Sequence, residues 1–381
     1  MAPARRIDFG GRRSGLVSVT CSRVVRDVHV ASRLSRPSPH RRAWSWVRGR
    51  ISPVGVPVSV RALGSGVVRA LLITNPFATS TTDAGRDALA QTLASRVDLT
   101  VELTTHRGHA GELAAAARVG GTDLVIVHGG DGTVNEAVNG LLDGPGQPET
   151  GRSTPTLAVV PGGSANVFAR SLGIHPDPLQ ATGQLVNLIT DGARRRVSLG
   201  HADGRWFLFN AGMGVDAEVV HAVERQRVSG KPASDARYVW TTIRQFIASA
   251  KRPATLTVAI PGQEPVTGVH FVFVSNSNPW TFIGERPVLT NPGTTFDSGL
   301  GVFASRSMAF LRNLPLAAQL LTNRTPTARH LFTDDDVESV RVVADEPIDM
   351  QMDGDFIGPR SDVAFAYCAD RLEVVAPAPQ A

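Results

Sequence analysis

The sequence predicts an α/β domain with a mostly parallel sheet, followed by an antiparallel β-sandwich domain and preceded by a disordered basic tail. Between residues 67 and 192, β-branched runs alternate with segments of helical spacing, the pattern of a parallel sheet covered on both faces. Two of these strands end in a glycine-rich turn that leads into a helix. Past residue 193, short strands with turn signals are typical of a sandwich.

These observations divide the chain into three parts. We assign residues 1–66 to the tail and residues 67–192 to the α/β domain, which a final segment at about 373–381 completes. Residues 193–372 then form the sandwich domain. About 310 residues beyond the tail, with 42% hydrophobic residues in the whole chain, are enough for two cores.

The tail carries the positive charge of the chain. Residues 1–60 hold twelve of the 39 Lys and Arg residues, all Arg, against only Asp8 and Asp27, a net charge of +10. The other residues hold 27 basic and 32 acidic side chains, so nucleic-acid binding by the folded part is not supported. We interpret the tail as disordered. Three roles stay open for it: a membrane-surface anchor, an organelle address, or residues before the true start of translation.

Two further features describe the compartment. Cys21 and Cys368 make neither a disulfide framework nor a metal pair, so a reducing cytosol is expected. No stretch approaches the roughly 18 to 20 uninterrupted apolar residues of a spanning helix. We therefore expect a soluble or peripheral protein.

The elements of the α/β domain follow from periodicity. Strands are predicted at residues 67–74, 99–104, 124–127 and 157–160, and helices at 83–96, 110–119, from 133 onward and at 167–172.

The central turn reads Gly129-Gly-Asp-Gly-Thr133. Because Thr133 and Glu136 have capping-box spacing, the helix is predicted to begin at Thr133, with free backbone N–H groups facing the glycines. A helix start of this kind attracts anions. It is not a Walker loop, since Gly-x-x-x-x-Gly-Lys-Ser/Thr is absent.

Asp131 is a carboxylate among groups that favour anions. An acid beside a phosphate is costly unless a divalent cation lies between them, so the turn predicts a nucleotide phosphate with Mg²⁺. The alternative is an ordinary glycine turn that Asp131 caps locally. Loops at Asn75, Gly129 and Gly162 follow neighbouring strands and are expected to face one crevice.

The second half contains weaker signals. The segment from Asn210 to Asp216 suits a close approach between domains, and Asp353-Gly-Asp355 places two carboxylates around a glycine. A carboxylate can accept the proton of an acceptor hydroxyl, but the same residues suit a hairpin corner. A helix at 308–321 reads as a packed core helix rather than a lipid contact. Strands are predicted at 196–199, 206–210, 254–260, 266–275, 301–304 and 339–343, and a further helix at 236–250.

Together these motifs resemble the diacylglycerol kinase catalytic family, which includes bacterial lipid kinases and sphingosine kinases and is distantly related to NAD kinases. The resemblance runs from about Arg69 to Ala376. It rests on the segments 129–136, 161–170, 210–216 and 353–355. It implies an ATP-binding α/β domain and a lipid-substrate sandwich domain, with the active site in the cleft and the last strand returning to the first domain.

The resemblance also implies roles for individual residues. Asp353 matches the general base, and Asp131 is expected to hold the catalytic Mg²⁺ directly or through water. Asp297 matches a structural Mg²⁺ position, where Ser298 replaces a second Asp, and Asp355 stands where the family usually carries Glu. The implied nucleotide-binding residues are Asn75, Pro76, Thr79, Thr105, Gly129, Gly130, Asp131, Gly132, Thr133, Asn135, Ser164 and Asp355.

The expected function is an ATP- and Mg²⁺-dependent lipid kinase that converts diacylglycerol to phosphatidic acid. Its lipid substrate lies at the membrane surface, so a cytoplasmic protein peripherally bound to the inner face of the membrane is expected, with a homodimer left open. Alternatives are a sphingoid or ceramide-type lipid kinase, an NAD-kinase-like polyol kinase, and an inactive nucleotide-binding regulator. A serine hydrolase using Ser164 is disfavoured, because the second glycine of a nucleophile elbow is missing.

Overall fold

The computed structural model describes residues 67–147, 151, 153–214, 253–320, 322 and 325–379. The predicted tail, the predicted helix at 236–250 and the last two residues of the segment 210–216 lie outside the described residues. In the described part, no helix has the length and apolar character to cross a membrane.

Four parallel strands form the α/β part of the sheet. They are β1 (Arg69–Thr74), β2 (Asp98–Leu103), β3 (Leu124–Gly129) and β4 (Thr156–Pro161). Their spatial order is β4-β3-β1-β2, and every pair is parallel. Strands β3 and β4 are buried along their whole length, as apolar runs covered on both faces must be. The predicted α/β part with parallel strands is confirmed.

Five helices connect these strands or follow them. They are α1 (Asp83–Ala94), α2 (His109–Val119), α3 (Asp131–Leu141), α4 (Val167–Ser171) and α5 (Pro178–Thr190). Helix α5 was not predicted, although its start carries a clear signal: Asp177 accepts hydrogen bonds from two backbone N–H groups, and Pro178 occupies the first turn.

Helices α2 and α3 cross at two glycines. A Cβ atom at Gly140 would overlap the carbonyl oxygen of Gly111, and a Cβ at Gly111 would lie 3.0 Å from the carbonyl oxygen of Glu136. The two backbones therefore approach more closely than any side chain allows. This contact sets the position of α3, which begins at the central glycine turn.

The remaining strands are antiparallel to one another. They are β5 (Arg195–Ala202), β6 (Arg205–Phe207), β7 (Asn210–Met213), β8 (Leu256–Ala259), β9 (Val266–Val269), β10 (Phe271–Ser275), β11 (Thr281–Ile283), β12 (Arg286–Val288), β13 (Leu300–Ser305), β14 (Leu331–Val337), β15 (Ser339–Met352) and β16 (Asp355–Val374). The β-rich C-terminal region is confirmed. Strands β11, β12 and β14 were missed, and β15 is much longer than predicted. Strand β16 was expected only as the last strand that the family resemblance implied.

The long strand β16 joins the two parts of the sheet. It pairs with β15 at its beginning, and Val374 near its end pairs in parallel with Leu157 of β4. The hydrogen-bonded order is β14-β13-β10-β7-β15-β16-β4-β3-β1-β2. Apart from β11 and β12, which form a two-stranded sheet of their own, antiparallel and parallel strands thus share one continuous sheet. The domain boundaries at 192 and 372 stay predictions.

Helix α6 (Phe310–Gln319) contains Pro315 and covers one face of the antiparallel strands. Leu316 of this helix and the preceding Met308 pack with Phe271 and Phe303 in a small buried cluster. The helix packs on the core, as the sequence predicted.

Candidate active site

Two glycine turns pack directly against each other at the ends of β3 and β4. The N–H of Gly162 donates to the carbonyl oxygen of Gly129 at 2.9 Å. A Cβ at Gly163 would lie 2.7 Å from the Cα of Gly130, and one at Gly162 would lie 3.0 Å from the Cα of Gly129. Packing between the turns therefore requires these glycines, whatever ligand the site binds.

A third loop, which follows β1, joins them. Asn75 Nδ2 donates to Thr133 Oγ1 at 3.0 Å, and the N–H of Ser80 donates to the carbonyl oxygen of Gly162 at 2.8 Å. The hydroxyl oxygens of Thr79 and Ser164 are 3.5 Å apart. The structure brings the three predicted loops together at the carboxyl ends of neighbouring parallel strands, with Pro76 half-buried in the first loop.

The central helix begins two residues earlier than predicted. Helix α3 starts at Asp131 with the extended Gly130 as its N-cap, and no side chain caps this end. The prediction that Thr133 begins and caps the helix is wrong, because Thr133 already lies inside the first turn, where its hydroxyl accepts a hydrogen bond from Asn75. The backbone N–H groups of the first turn are therefore left for another acceptor, as at known anion sites.

Asp131 is turned toward the second glycine turn. Its Oδ2 accepts the N–H of Val167 at 3.0 Å, and its Oδ1 accepts the N–H of Phe168 at 3.1 Å. Burial raises the pKa of Asp131 to about 6, although these two bonds and the charge of Arg170 lower it. The carboxylate thus caps the start of α4.

These partners bear on the predicted Mg²⁺ ligand. Both oxygens of Asp131 are engaged by backbone N–H groups. Over the described residues, there is no group of three or more His, Cys, Asp or Glu side chains placed to hold a metal. The donor set does not fit a metal ion held by the protein alone, since Mg²⁺ requires several oxygen ligands.

Asp353 lies at a hairpin corner between β15 and β16. Asp353 and Gly354 have φ angles of 48° and 79°, and Met352 pairs with Asp355 on either side of the turn. Positive φ at both central positions is the requirement of a type I′ hairpin, which Asp-Gly meets. The motif is therefore a hairpin corner, and it also lies in the candidate site.

Four hydrogen-bond donors contact the Asp353 carboxylate, and the residue is 3% exposed. The surrounding donors are the N–H groups of Leu208 (2.6 Å), Phe209 (3.0 Å) and Asn210 (3.1 Å) and the Asn135 amide (2.7 Å). Burial raises the pKa of Asp353 to about 7, although these four hydrogen bonds lower it. A carboxylate with a pKa near neutrality is suited to act as a general base.

Asn135 is completely buried behind this carboxylate. Its Nδ2 donates to Asp353 Oδ2 and to the carbonyl oxygen of Trp206 at 3.0 Å. Its Oδ1 accepts hydrogen bonds from Arg205, through Nε at 3.1 Å and through Nη2. Asn135, which was predicted to bind the nucleotide, therefore uses its amide for contacts within the protein. These contacts link α3 to the hairpin corner.

Asp355 completes the network on the exposed side. Its Oδ2 accepts from Arg205 Nη2 at 2.9 Å, and its Oδ1 lies 3.4 Å from Arg107 Nη2. Neither arginine was predicted from the sequence. One signal could have found them: the chain has only two lysines, so charge for phosphate binding must come mainly from arginine.

Two predicted residues lie at the margin of this group. Thr105 follows β2 and is exposed, and its N–H donates to His109 Nδ1 at 3.1 Å. Asp297 pairs with Arg195 at 3.1 Å. Arg195 pairs with Val374, and Val374 pairs with Leu157 at the beginning of β4. The glycine turns follow the ends of β3 and β4, so Arg195 lies near the opposite end of these strands. Asp297 is therefore held by a guanidinium and is not joined to the three loops.

The chain was compared with known proteins. Residues 69–202 match the family model described as diacylglycerol kinase catalytic domain. The diacylglycerol kinase of Bacillus subtilis (strain 168) is 38% identical over 162 residues, which are 41% of this chain and 48% of that protein. A Chromohalobacter salexigens protein named "Probable lipid kinase YegS-like" is 32% identical over 137 residues, 36% of this chain and 41% of that protein.

A solved structure extends the likeness of the fold. The crystal structure of a diacylglycerol kinase from Bacillus anthracis str. Sterne matches with a TM-score of 0.60 at 20% identity, covering 82% of this chain and 97% of that one. In sequence, this chain spans about half the length of the curated relatives it matches. The resemblance inferred from the motifs is confirmed for the matched residues.

Proposed function

We propose that this chain is an ATP-dependent lipid kinase that transfers the γ-phosphate to a lipid hydroxyl, with diacylglycerol as the leading acceptor and phosphatidic acid as the product. The observation that carries the proposal is the direct hydrogen bond between α3, which begins at the glycine turns, and the buried carboxylate of Asp353. A phosphate site and a general base are then parts of one network.

The nucleotide side rests on the start of α3. Its first turn has a glycine N-cap and no capping side chain, and the loops at Asn75 and Gly162 flank it. Backbone N–H groups and the helix dipole favour the phosphates of ATP at such a place. Mg²⁺ enters as the counter-ion of the triphosphate and thus as part of the substrate, because the described residues hold no assembled metal site.

The acceptor side rests on Asp353. In phosphoryl transfer the base mainly orients the hydroxyl and accepts its proton late, so a carboxylate with a pKa of about 7 is adequate. Two donors already occupy each of its oxygens. Three of these donors are backbone groups, and the fourth is the Asn135 amide, which also donates to the Trp206 carbonyl oxygen. The hydroxyl of the lipid acceptor therefore replaces the Asn135 amide as a donor to Asp353.

One observation favours a second candidate. The 3% exposure of Asp353 and its complete set of donors are also what an inactive nucleotide-binding regulator would have. The sphingoid, ceramide and polyol kinase alternatives require the same chemistry and differ only in the acceptor. The hydrolase alternative requires a base beside Ser164, and the contact found for the Ser164 hydroxyl within the described residues is with the Thr79 hydroxyl.

The proposed place of action is the cytoplasmic face of a membrane, where a peripheral protein can reach its lipid. This follows from the chemistry of a diacylglycerol acceptor, and the arginine-rich residues 1–60 would strengthen binding to anionic lipid.

The test is a transfer assay with the full-length protein. Labelled ATP and Mg²⁺ are supplied with mixed micelles of diacylglycerol, of a sphingoid base or of ceramide, or with NAD in solution, and the phosphorylated product is identified. Phosphatidic acid is the expected main product. ATP binding without any phosphorylated acceptor would point to the regulator, and labelling of Ser164 by a serine-reactive probe would point to the hydrolase.

A further inference from the structure

The described part of the site must obtain its positive charge from arginine. The only lysines of the chain, Lys231 and Lys251, lie outside the described residues. Among kinases of other folds a lysine commonly contacts the phosphates, and arginine serves the same purpose with a planar fork that matches phosphate oxygens.

Two arginines from distant parts of the chain converge on one carboxylate. Arg107 lies in the loop after β2, and Arg205 begins β6. They approach different oxygens of Asp355, at 3.4 Å from Oδ1 and 2.9 Å from Oδ2. The Arg205 guanidinium is also tied to Asn135 Oδ1, so its position is defined by two acceptors.

This group lies beside the first turn of α3. Apart from the backbone of its own helix, a Cβ atom at Gly132 would have as its nearest described neighbour Asp355 Oδ1, at 3.5 Å. Gly132 thus differs from Gly129, Gly162 and Gly163, whose missing side chains are required by packing. Gly132 lies in the first turn of α3, whose start has no side-chain cap, and the Asp355 group lies next to it.

We propose that Arg107 and Arg205 bind the γ-phosphate of the nucleotide over Gly132, and that Asp355 is the positioning residue that holds both guanidiniums there. The inference rests on the proposed kinase function and extends it with residues that the motifs did not assign. The side chains of Asp355, Arg205 and Arg107 are 19%, 29% and 63% exposed, so the group is open to a solute.

The charges of the three side chains fit this role. Two guanidiniums and one carboxylate leave a net positive charge beside a helix N-terminus, where a phosphate is favoured. The Arg107 contact with Asp355 is the longer of the two, so Arg107 exchanges this partner for a phosphate oxygen at the smaller cost.

The experiment compares ATP with ADP in equilibrium binding to the full-length protein in the presence of Mg²⁺. Arg107→Ala and Arg205→Lys are the test variants, and Arg86→Ala, which removes an arginine paired with acids on α1, is the control. We expect each test variant to lose about tenfold in ATP affinity, the size of one charge-assisted phosphate contact, with little change for ADP. The control should bind both nucleotides as the wild type does.

A merely structural ion pair would not change the preference for ATP over ADP. Equal losses for the two nucleotides, or none, overturn the inference. Arg107 is exposed, so Arg107→Ala is expected to fold and decides the matter even if thermal melting shows that Arg205→Lys is unstable. If the wild-type protein phosphorylates lipid and the variants keep its ratio of ATP affinity to ADP affinity, only this inference is wrong. If the wild-type protein binds neither nucleotide, the proposed function is wrong as well.

Discussion

Asn135 Nδ2 lies 2.7 Å from Asp353 Oδ2 and joins α3 to a hairpin corner 218 residues later in the chain. The helix that begins at the phosphate loop therefore touches the candidate base directly. A shift of α3 on nucleotide binding would displace the Asp353 carboxylate. The reason is that the side chains of Asn135 and Asp353 are both buried, and neither can turn without losing hydrogen bonds.

The first prediction concerns Asp353→Asn. The substitution removes the acceptor charge, so we expect kcat to fall by about 10² or more, the usual loss for a general base, while ATP affinity changes little. Steady-state kinetics with diacylglycerol and a separate binding measurement test this. Asp353 is not the base if the variant keeps most of its turnover or loses ATP binding in step with kcat.

The second prediction concerns the pH dependence of turnover. With a pKa raised to about 7, Asp353 is protonated and inactive as a base in acid, so kcat/KM for the lipid should rise with pH, reach half of its limit near pH 7 and then level off. Asn135→Ala removes a hydrogen bond that lowers this pKa, so the rising limb should move to higher pH. A pH profile of both proteins tests this, and an unmoved limb would contradict it.

The third prediction concerns stability and pH. The pKa of Asp353 is about 7 in the folded protein and close to 3.8 when unfolded, so the folded state binds the extra proton between these values. Its contribution to stability is greatest at low pH and is lost as pH rises toward 7. The melting temperature of Asp353→Asn minus that of the wild type should therefore increase from pH 5 to pH 8. Taking this difference cancels the other titrating groups, and a constant difference would show that the pKa is not raised.

The fourth prediction concerns Asp131. Asp131 caps the start of α4 beside the second glycine turn, so Asp131→Ala should loosen that turn and strongly lower phosphoryl transfer while the fold stays intact, at a stability cost of about 1 kcal/mol, the typical value of a lost helix cap. The amide of Phe168, which loses its acceptor, should exchange its hydrogen faster. Activity and amide exchange are measured on the same sample. Near-normal transfer at saturating Mg²⁺ would remove Asp131 from the site.

The fifth prediction uses two helical glycines as a matched pair. Gly140→Ala places a methyl group against the Gly111 carbonyl and should destabilise the protein by about 1–3 kcal/mol or more. Gly183→Ala, in α5 with nothing within 4 Å of the new atom, should stabilise it by up to about 1 kcal/mol. Denaturant unfolding measures both. A tolerated Gly140→Ala would mean that α2 and α3 do not cross this closely.

Much of the fold was accessible from the sequence because its signals are local. A parallel strand covered on both faces needs an apolar run such as residues 124–127, and a helix needs spacing such as that of α1 and α2, which neighbouring residues decide. The two glycine turns and the Asp353-Gly354 corner are also local, since they follow from backbone conformations or approaches that few other residues allow. Together they predicted the α/β part, the three joined loops and the family resemblance.

The tertiary structure alone decided which side chains meet. Asn135 was expected at the nucleotide but lies behind Asp353, because β6 and the hairpin corner offer acceptors that no spacing in the sequence reveals. Thr133 lies inside a helix that begins at Asp131, and its hydroxyl accepts from Asn75, 58 residues away. Arg107 and Arg205 look like ordinary surface charges until the fold places both on Asp355. Contacts of this kind depend on the register and crossing of distant elements, and these are settled by packing of the whole sheet rather than by the residues beside them in the chain.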